Sequence, residues 1–428
     1  MGKIKKVEVS FSNSCGVFYA GQPVSGNVAV HVNELVKVKA VRVKLVGGGA
    51  VRFVDNAQNK KSHAEKIRYF DHEATLTTMS AVPTPASERK KSQPSELLLA
   101  QGVHLFPFFY QSPADVPSSY ESKFGHVRYV AVATVQLPSL LSRDRTVRKP
   151  FSMVGIVDLN REPSAFTPGV KHAEQSYGFW AQLFCMAGTL NVTLRLDRCA
   201  FVPGEQISVG ADIENRSSRA VRRVEAFLQQ NVVYRAKHGR RFEKGTQKIG
   251  LVTKAGVGRG ESQRLVDTYV DVPSLPPTKL GGCRLIDLAY LFNLVVYVEG
   301  SRPLLLTLPV VIGTVPLQQA TMAGEQPSSA HDTAALFDRQ PSAPPLLEDF
   351  VGPPPTYEEC HFMEGGELGD DVSIATGISA APSAPMEEEE EDGGADDDEA
   401  AAEGASTSEG PAAPYRPLYP LYATLKRH

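Results

Sequence analysis

Apolar and polar residues alternate along most of residues 1–315, and a period of two is the mark of strands that bury one face. Val7, Val9 and Phe11 share a face of the first run. Leu190, Val192, Leu194 and Leu196 are separated by Asn191, Thr193 and Arg195, and Val127, Tyr129, Ala131, Ala133, Val135 and Leu137 alternate likewise. Leu288 to Val298 and Leu304 to Ile312 are nearly continuous apolar runs, suited to strands covered on both faces. Gly, Pro, Asn and Ser clusters at 113–119 and 256–260 punctuate the runs, and no long window repeats every 3.6 residues. The expected class is all-β, in immunoglobulin-like sandwiches.

An internal repeat sets their number at two. Phe18-Tyr19-Ala20-Gly21-Gln22-Pro23-Val24-Ser25 matches Phe201-Val202-Pro203-Gly204-Glu205-Gln206-Ile207-Ser208 at an offset of 183 residues. The same offset pairs Val38, Val41 and Leu45 with Val221, Val224 and Leu228. The expected organisation is a sandwich over 1–158, a linker over 159–178, a second sandwich over 179–315 and a tail over 316–428.

Charge divides the chain at the same place. The net charge of −3 is the sum of a body at +16 and a tail at −19, the tail holding 23 Asp and Glu and 14 of the 31 prolines. Few aliphatic residues follow Leu368, so the tail cannot bury enough apolar surface to offset its ordering entropy and is expected to be disordered. The basic clusters of the body suit anionic lipid headgroups or acidic protein tails. No stacking-aromatic or finger motif accompanies them, so nucleic acid is not an expected partner.

The tail carries short motifs. Pro354-Pro355-Thr356-Tyr357, preceded by Pro353, is a PPxY. Consecutive prolines pre-set a polyproline II helix whose rings enter the aromatic groove of a WW domain, and Tyr357 fills a neighbouring pocket. The expected WW-binding residues are Pro354, Pro355 and Tyr357. Pro341-Ser342-Ala343-Pro344 and Pro382-Ser383-Ala384-Pro385 are two copies of a PSAP motif of the type that docks on the ESCRT-I complex. Arg416-Pro417-Leu418-Tyr419 resembles a PPxY that has lost its first proline, leaving Pro417 and Tyr419 as a weak second WW site.

Enzyme signatures are missing. The chain has no GxSxG, HExxH or GxxxxGK[ST], and its ten histidines are dispersed. No catalytic residue, metal or cofactor is expected. Five scattered cysteines without a CxxC read as reduced cytosolic thiols. The N-terminus lacks an apolar signal region, and the longest apolar stretches are too short to span a bilayer.

Tandem sandwiches before a PPxY tail resemble the α-arrestin family. Val38-Lys39-Ala40-Val41-Arg42-Val43, Ser119-Tyr120-Glu121-Ser122-Lys123-Phe124-Gly125-His126, Ile213-Glu214-Asn215-Arg216-Ser217 and Leu308-Pro309-Val310-Val311-Ile312-Gly313-Thr314-Val315-Pro316-Leu317 are similar to its members. The resemblance implies two arrestin lobes and an adaptor that is not an enzyme. It further implies that a PPxY recruits WW-domain HECT-type ubiquitin ligases to membrane receptor or transporter cargo, for endocytosis and sorting to endosomes and lysosomes. Such a protein is cytoplasmic and peripheral at the plasma membrane and endosomes. The PSAP pair leaves an alternative open, a scaffold for plasma-membrane vesicle budding linked to ESCRT-I.

Overall fold

The computed structural model describes residues 3–55, 61–76, 97–138, 143–177, 188–318, 361–364 and 415–422. The first lobe runs β1 (Ile4–Phe11), β2 (Val17–Tyr19), β3 (Pro23–Val32), β4 (Val36–Val38), β5 (Ala40–Asp55) and β6 (Lys61–Leu76). It continues with β7 (Leu97–Leu99), β8 (Gly102–Gln111), β9 (Tyr120–Ser122), β10 (Gly125–Gln136) and β11 (Arg145–Val154). Two 3-10 turns, Leu159–Arg161 and Pro163–Ala165, lead into β12 (Gly169–Ser176), β13 (Thr189–Leu196), β14 (Ala200–Phe201) and β15 (Gln206–Asn215). The second lobe closes with β16 (Val221–Ala236), β17 (Arg240–Ala255), β18 (Ser262–Asp271), β19 (Ile286–Val298) and β20 (Leu304–Ile312), and the tail adds β21 (His361–Glu364) and β22 (Leu418–Leu421).

Each lobe is a sandwich, and the two share one topology. The first stacks the sheet β1-β3-β8 on the sheet β2-β11-β10-β5-β6, and the second stacks β12-β13-β15-β18 on β14-β20-β19-β16-β17. Strand for strand, β2, β11, β10, β5 and β6 correspond to β14, β20, β19, β16 and β17. The short parallel pairs β2–β11 and β14–β20 recur at the same corner of each lobe. β3 and β15 stand 183 residues apart, the spacing of the sequence repeat.

The pleat explains which residues are inside. In β3 the alternate positions Val24, Val28, Val30 and Val32 are buried, and in β13 Leu190, Val192, Leu194 and Leu196 are. Phe11, Phe18 and Phe151 meet edge to face at 5.4 to 5.9 Å between ring centres at the heart of the first sandwich. The apolar core does not stop at the lobe boundary. Val232, Tyr234 and Ala236 of β16 and Leu285, Ile286 and Leu288 around the start of β19 belong to the first lobe's cluster, and the remaining second-lobe core forms its own.

Two stretches hold strands that the sequence reading did not place. Within the stretch read as a linker, 159–178, the segment Gly169–Ser176 is strand β12, paired along its length with β13. Its residues are mostly exposed because it is an edge strand, held by backbone hydrogen bonds more than by burial. The tail read as disordered contains β21 and β22, which pair with each other antiparallel. Apart from 361–364 and 415–422, residues 319–428 lie outside the described residues.

One buried charge stands on the outer face of the second lobe. Glu225 of β16, with its side chain 8 % exposed, accepts hydrogen bonds from Arg223 Nε at 2.8 Å and Tyr297 Oη at 3.0 Å, and from Lys248 Nζ. Burial pushes its carboxyl pKa up, but the bonds from Lys248, Arg223 and Tyr297 outweigh burial and hold it below the ordinary glutamate value of 4.5. A depressed carboxyl pKa adds stability that is present above the unfolded value and is lost as pH falls through the folded one. Glu225→Gln is therefore expected to lower stability by about 1–3 kcal/mol at neutral pH. Its difference from wild type in urea unfolding should hold from pH 7 to about 5.5 and shrink below about 4.5.

Candidate functional site

The seam between the lobes is the most elaborately bonded surface among the described residues. Its first layer is aromatic. Phe124 of the first lobe lies 4.8 Å from Phe242 and 5.7 Å from Tyr234 between ring centres, and Phe53 stacks on Phe242 at 5.7 Å. Tyr234 Oη donates to Ser122 Oγ at 2.9 Å and lies 3.3 Å from Tyr120 Oη. Burial raises the pKa of both tyrosines, so they stay neutral and the cluster keeps its hydrogen bonds across the ordinary pH range. Tyr69 Oη donates to Cys283 Sγ at 3.2 Å. Gly282 has φ +77°, and a Cβ there would collide with the Asp115 carbonyl, so glycine permits this crossing of the lobes.

The second layer is the chain leaving the first lobe, zipped to the end of the second. Thr314 N donates to the Val157 carbonyl and Val157 N to Thr314 Oγ1, both at 2.8 Å, and Asn160 Nδ2 donates to the Pro316 carbonyl at 3.0 Å. Thr314 is 1 % exposed, and its hydroxyl also donates to the Gly155 carbonyl.

The tail returns to this seam. Tyr419 and Tyr422 are each 3 % exposed, and Pro417 and Pro420 are buried with them. Tyr419 Oη donates to the Ser119 carbonyl at 2.9 Å, and Tyr422 Oη to the Thr314 carbonyl at 2.6 Å. Pro417 and Tyr419, expected as a weak second WW site, are both buried here. The rings a WW domain would read are packed against the lobes, because each tyrosine finds both an apolar wall and a carbonyl there. The other sequence-predicted residues, Pro341 to Pro344, Pro354, Pro355, Tyr357 and Pro382 to Pro385, lie outside the described residues. Sequence reasoning passed over Tyr422, although a second Pro-Leu-Tyr, at 420–422, follows directly on the first.

Other chemistry is sparse. Among the described residues no three His, Cys, Asp or Glu side chains are grouped to hold a metal ion, and no helix is long and apolar enough to cross a membrane. Cys15, Cys199 and Cys283 are free thiols, and burial with the nearby Asp197 raises the pKa of Cys199, opposing its thiolate.

Comparison with known proteins covers both lobes. Residues 7–160 match the N-terminal domain of arrestin, or S-antigen, and residues 187–317 match its C-terminal domain. Arrestin domain-containing protein 17 of Caenorhabditis elegans is 29 % identical over 321 residues, which are 74 % of this chain and 72 % of that protein. Human arrestin domain-containing protein 1 is 27 % identical over 397 residues, covering 90 % of this chain and 82 % of its own length. Human thioredoxin-interacting protein is 29 % identical over 353 residues, covering 82 % and 85 %.

The seam makes a quantitative demand on Tyr234, which is 2 % exposed. Tyr234→Ala should cost about 3–5 kcal/mol by opening a cavity between the lobes. Tyr234→Phe, which keeps the ring and loses only the hydroxyl, should cost about 1–2 kcal/mol. Urea unfolding of the two variants checks the ratio.

Proposed function

The chain belongs to the arrestin family, and on that premise we propose that it is a non-enzymatic adaptor that brings WW-domain HECT-type ubiquitin ligases to membrane receptor or transporter cargo. Ubiquitination of that cargo then directs its endocytosis and its sorting to endosomes and lysosomes. The observation that carries this reading is a PPxY, Pro354-Pro355-Thr356-Tyr357, joined to two arrestin domains. The motif ends three residues before β21. Consecutive prolines favour polyproline II before binding, which limits the entropy lost on docking, and the prolines and Tyr357 would supply apolar contact to the WW groove. The positive body suits the anionic cytosolic face of membranes, which supports the reading of a cytoplasmic protein peripheral at the plasma membrane and endosomes. Thioredoxin binding, stated in one relative's name, is not carried to this chain, which has no cysteine between Cys199 and Cys283.

The two PSAP copies favour a second reading, a plasma-membrane budding scaffold that engages ESCRT-I through Pro341-Ser342-Ala343-Pro344 and Pro382-Ser383-Ala384-Pro385. The readings separate by substitution. Tyr357→Ala is expected to reduce capture of a HECT ligase's isolated WW domains by at least about tenfold, since a buried aromatic anchor dominates such an interface. Unchanged capture would refute the adaptor reading. Ala343→Phe with Ala384→Phe should leave WW capture intact, and a fall in released vesicles in that variant would favour the scaffold.

A further inference from the structure

Residues 417–422 read Pro-Leu-Tyr-Pro-Leu-Tyr, a three-residue unit repeated once. The surface that holds them is also a repeat. Leu418 packs against Val17, Tyr19 and Val154 at the β2–β11 corner of the first lobe. Tyr422 packs with Ala200 and Val202 at the β14 corner of the second, and with Leu159 and Ala165 of the connection. These corners are the matched segments Phe18-Tyr19-Ala20-Gly21 and Phe201-Val202-Pro203-Gly204.

Besides its ladder with β21, the segment meets specific partners at Leu418, Tyr419 and Tyr422. Leu418 N donates to Ser152 Oγ at 3.1 Å, Ser274 Oγ to the Tyr419 carbonyl at 3.4 Å, and Tyr422 N to the Pro203 carbonyl at 3.0 Å. Both tyrosine hydroxyls end on main-chain carbonyls, of Ser119 in the first lobe and Thr314 in the second. Gly204, at φ +100°, is shaped for the approach, because a Cβ there would collide with the Tyr422 main chain. A surface covered by chance does not supply two closed tyrosine pockets, each ending in an acceptor, and a glycine cleared for peptide backbone.

We infer that the inter-lobe seam is a binding groove for a Pro-Leu-Tyr-Pro-Leu-Tyr peptide, and that residues 417–422 are its tethered ligand. Occupied in this way, the groove withholds Pro417 and Tyr419 from any WW domain and ties the first lobe to the second. The prolines reduce the conformational freedom lost on docking, and the tether supplies a high local concentration, so the groove need not bind the free peptide tightly. The groove itself is independent of the ligase reading; only the withholding of the motif rests on it.

Hydrogen exchange on the full-length protein tests the inference without reference to any ligase. The amides of Leu418 and Tyr422 should exchange at least roughly tenfold more slowly than in a free peptide spanning residues 414–424. A full-length variant carrying Tyr419→Phe and Tyr422→Phe keeps both rings and loses both hydroxyl bonds. That protection should fall in it by roughly tenfold. In a second arm, the fluorescently labelled 414–424 peptide should bind full-length Tyr422→Ala protein in anisotropy titrations and bind wild type far less, because the wild-type groove is filled. A peptide with both tyrosines replaced by alanine should bind neither. Exchange of residues 418–422 at the free-peptide rate in wild type would overturn the inference, as would equal binding of the labelled peptide to both proteins.

Discussion

Continuity of the apolar core across the lobe boundary is the constraint on which the rest of the molecule depends. Each sandwich could bury most of its own inward-facing residues. Yet Val232, Tyr234, Leu285, Ile286 and Leu288 are covered only because the first lobe lies over them. Once those side chains are committed, the backbones around them have little freedom. Ser119, Ser152, Thr314 and Pro203 then stand at fixed positions, and their polar groups face a common cleft. The hydrogen bonds of the seam are worth about a kilocalorie each. They select one arrangement of the lobes, while the apolar contact supplies most of the free energy that holds them together.

Alternation in β1, β10 and β13 was readable directly, since each turns one face toward a partner sheet. The repeat at 183 residues was readable as well, and its physical content proved larger than a shared turn. It marks the corner at which each chain crosses between its two sheets, where β2 and β14 make the parallel pairs. What escaped sequence reading is equally specific. β12 offers almost no apolar alternation, because its stabilisation comes from the ladder with β13. β22 lies within residues 417–422, two prolines and two tyrosines in six residues, which locally favours an extended, solvated chain. Its ladder partner is β21, and the cleft that receives its tyrosines is assembled from residues more than a hundred positions away, which no local pattern encodes.

The same point applies to the site. Tyr357 and Tyr419 stand in related motifs that differ at the first position, Pro354 against Arg416, and at the third, Thr356 against Leu418. The surroundings of Tyr419 give it a fixed place in the folded body. Tyr419 has a carbonyl acceptor and apolar walls waiting in the folded body, and is consumed by it. A linear motif is therefore defined by what the remainder of its own chain leaves accessible, as well as by its letters.

The docking of β22 has a consequence for the order in which the protein is made. Leu418 and Ser152 are 266 residues apart, and the cleft that receives the segment is complete once β20 has been added. At bacterial and eukaryotic elongation speeds of about 5–20 residues per second, roughly 5–20 seconds separate synthesis of Val315 from that of Tyr422. During that interval the nascent lobes present their seam uncovered, with the main-chain carbonyls of Ser119, Pro203 and Thr314 not yet bonded by the chain that will later cover them. A chaperone or a neighbouring nascent chain has its best opportunity to bind this surface then, before translation supplies the native occupant.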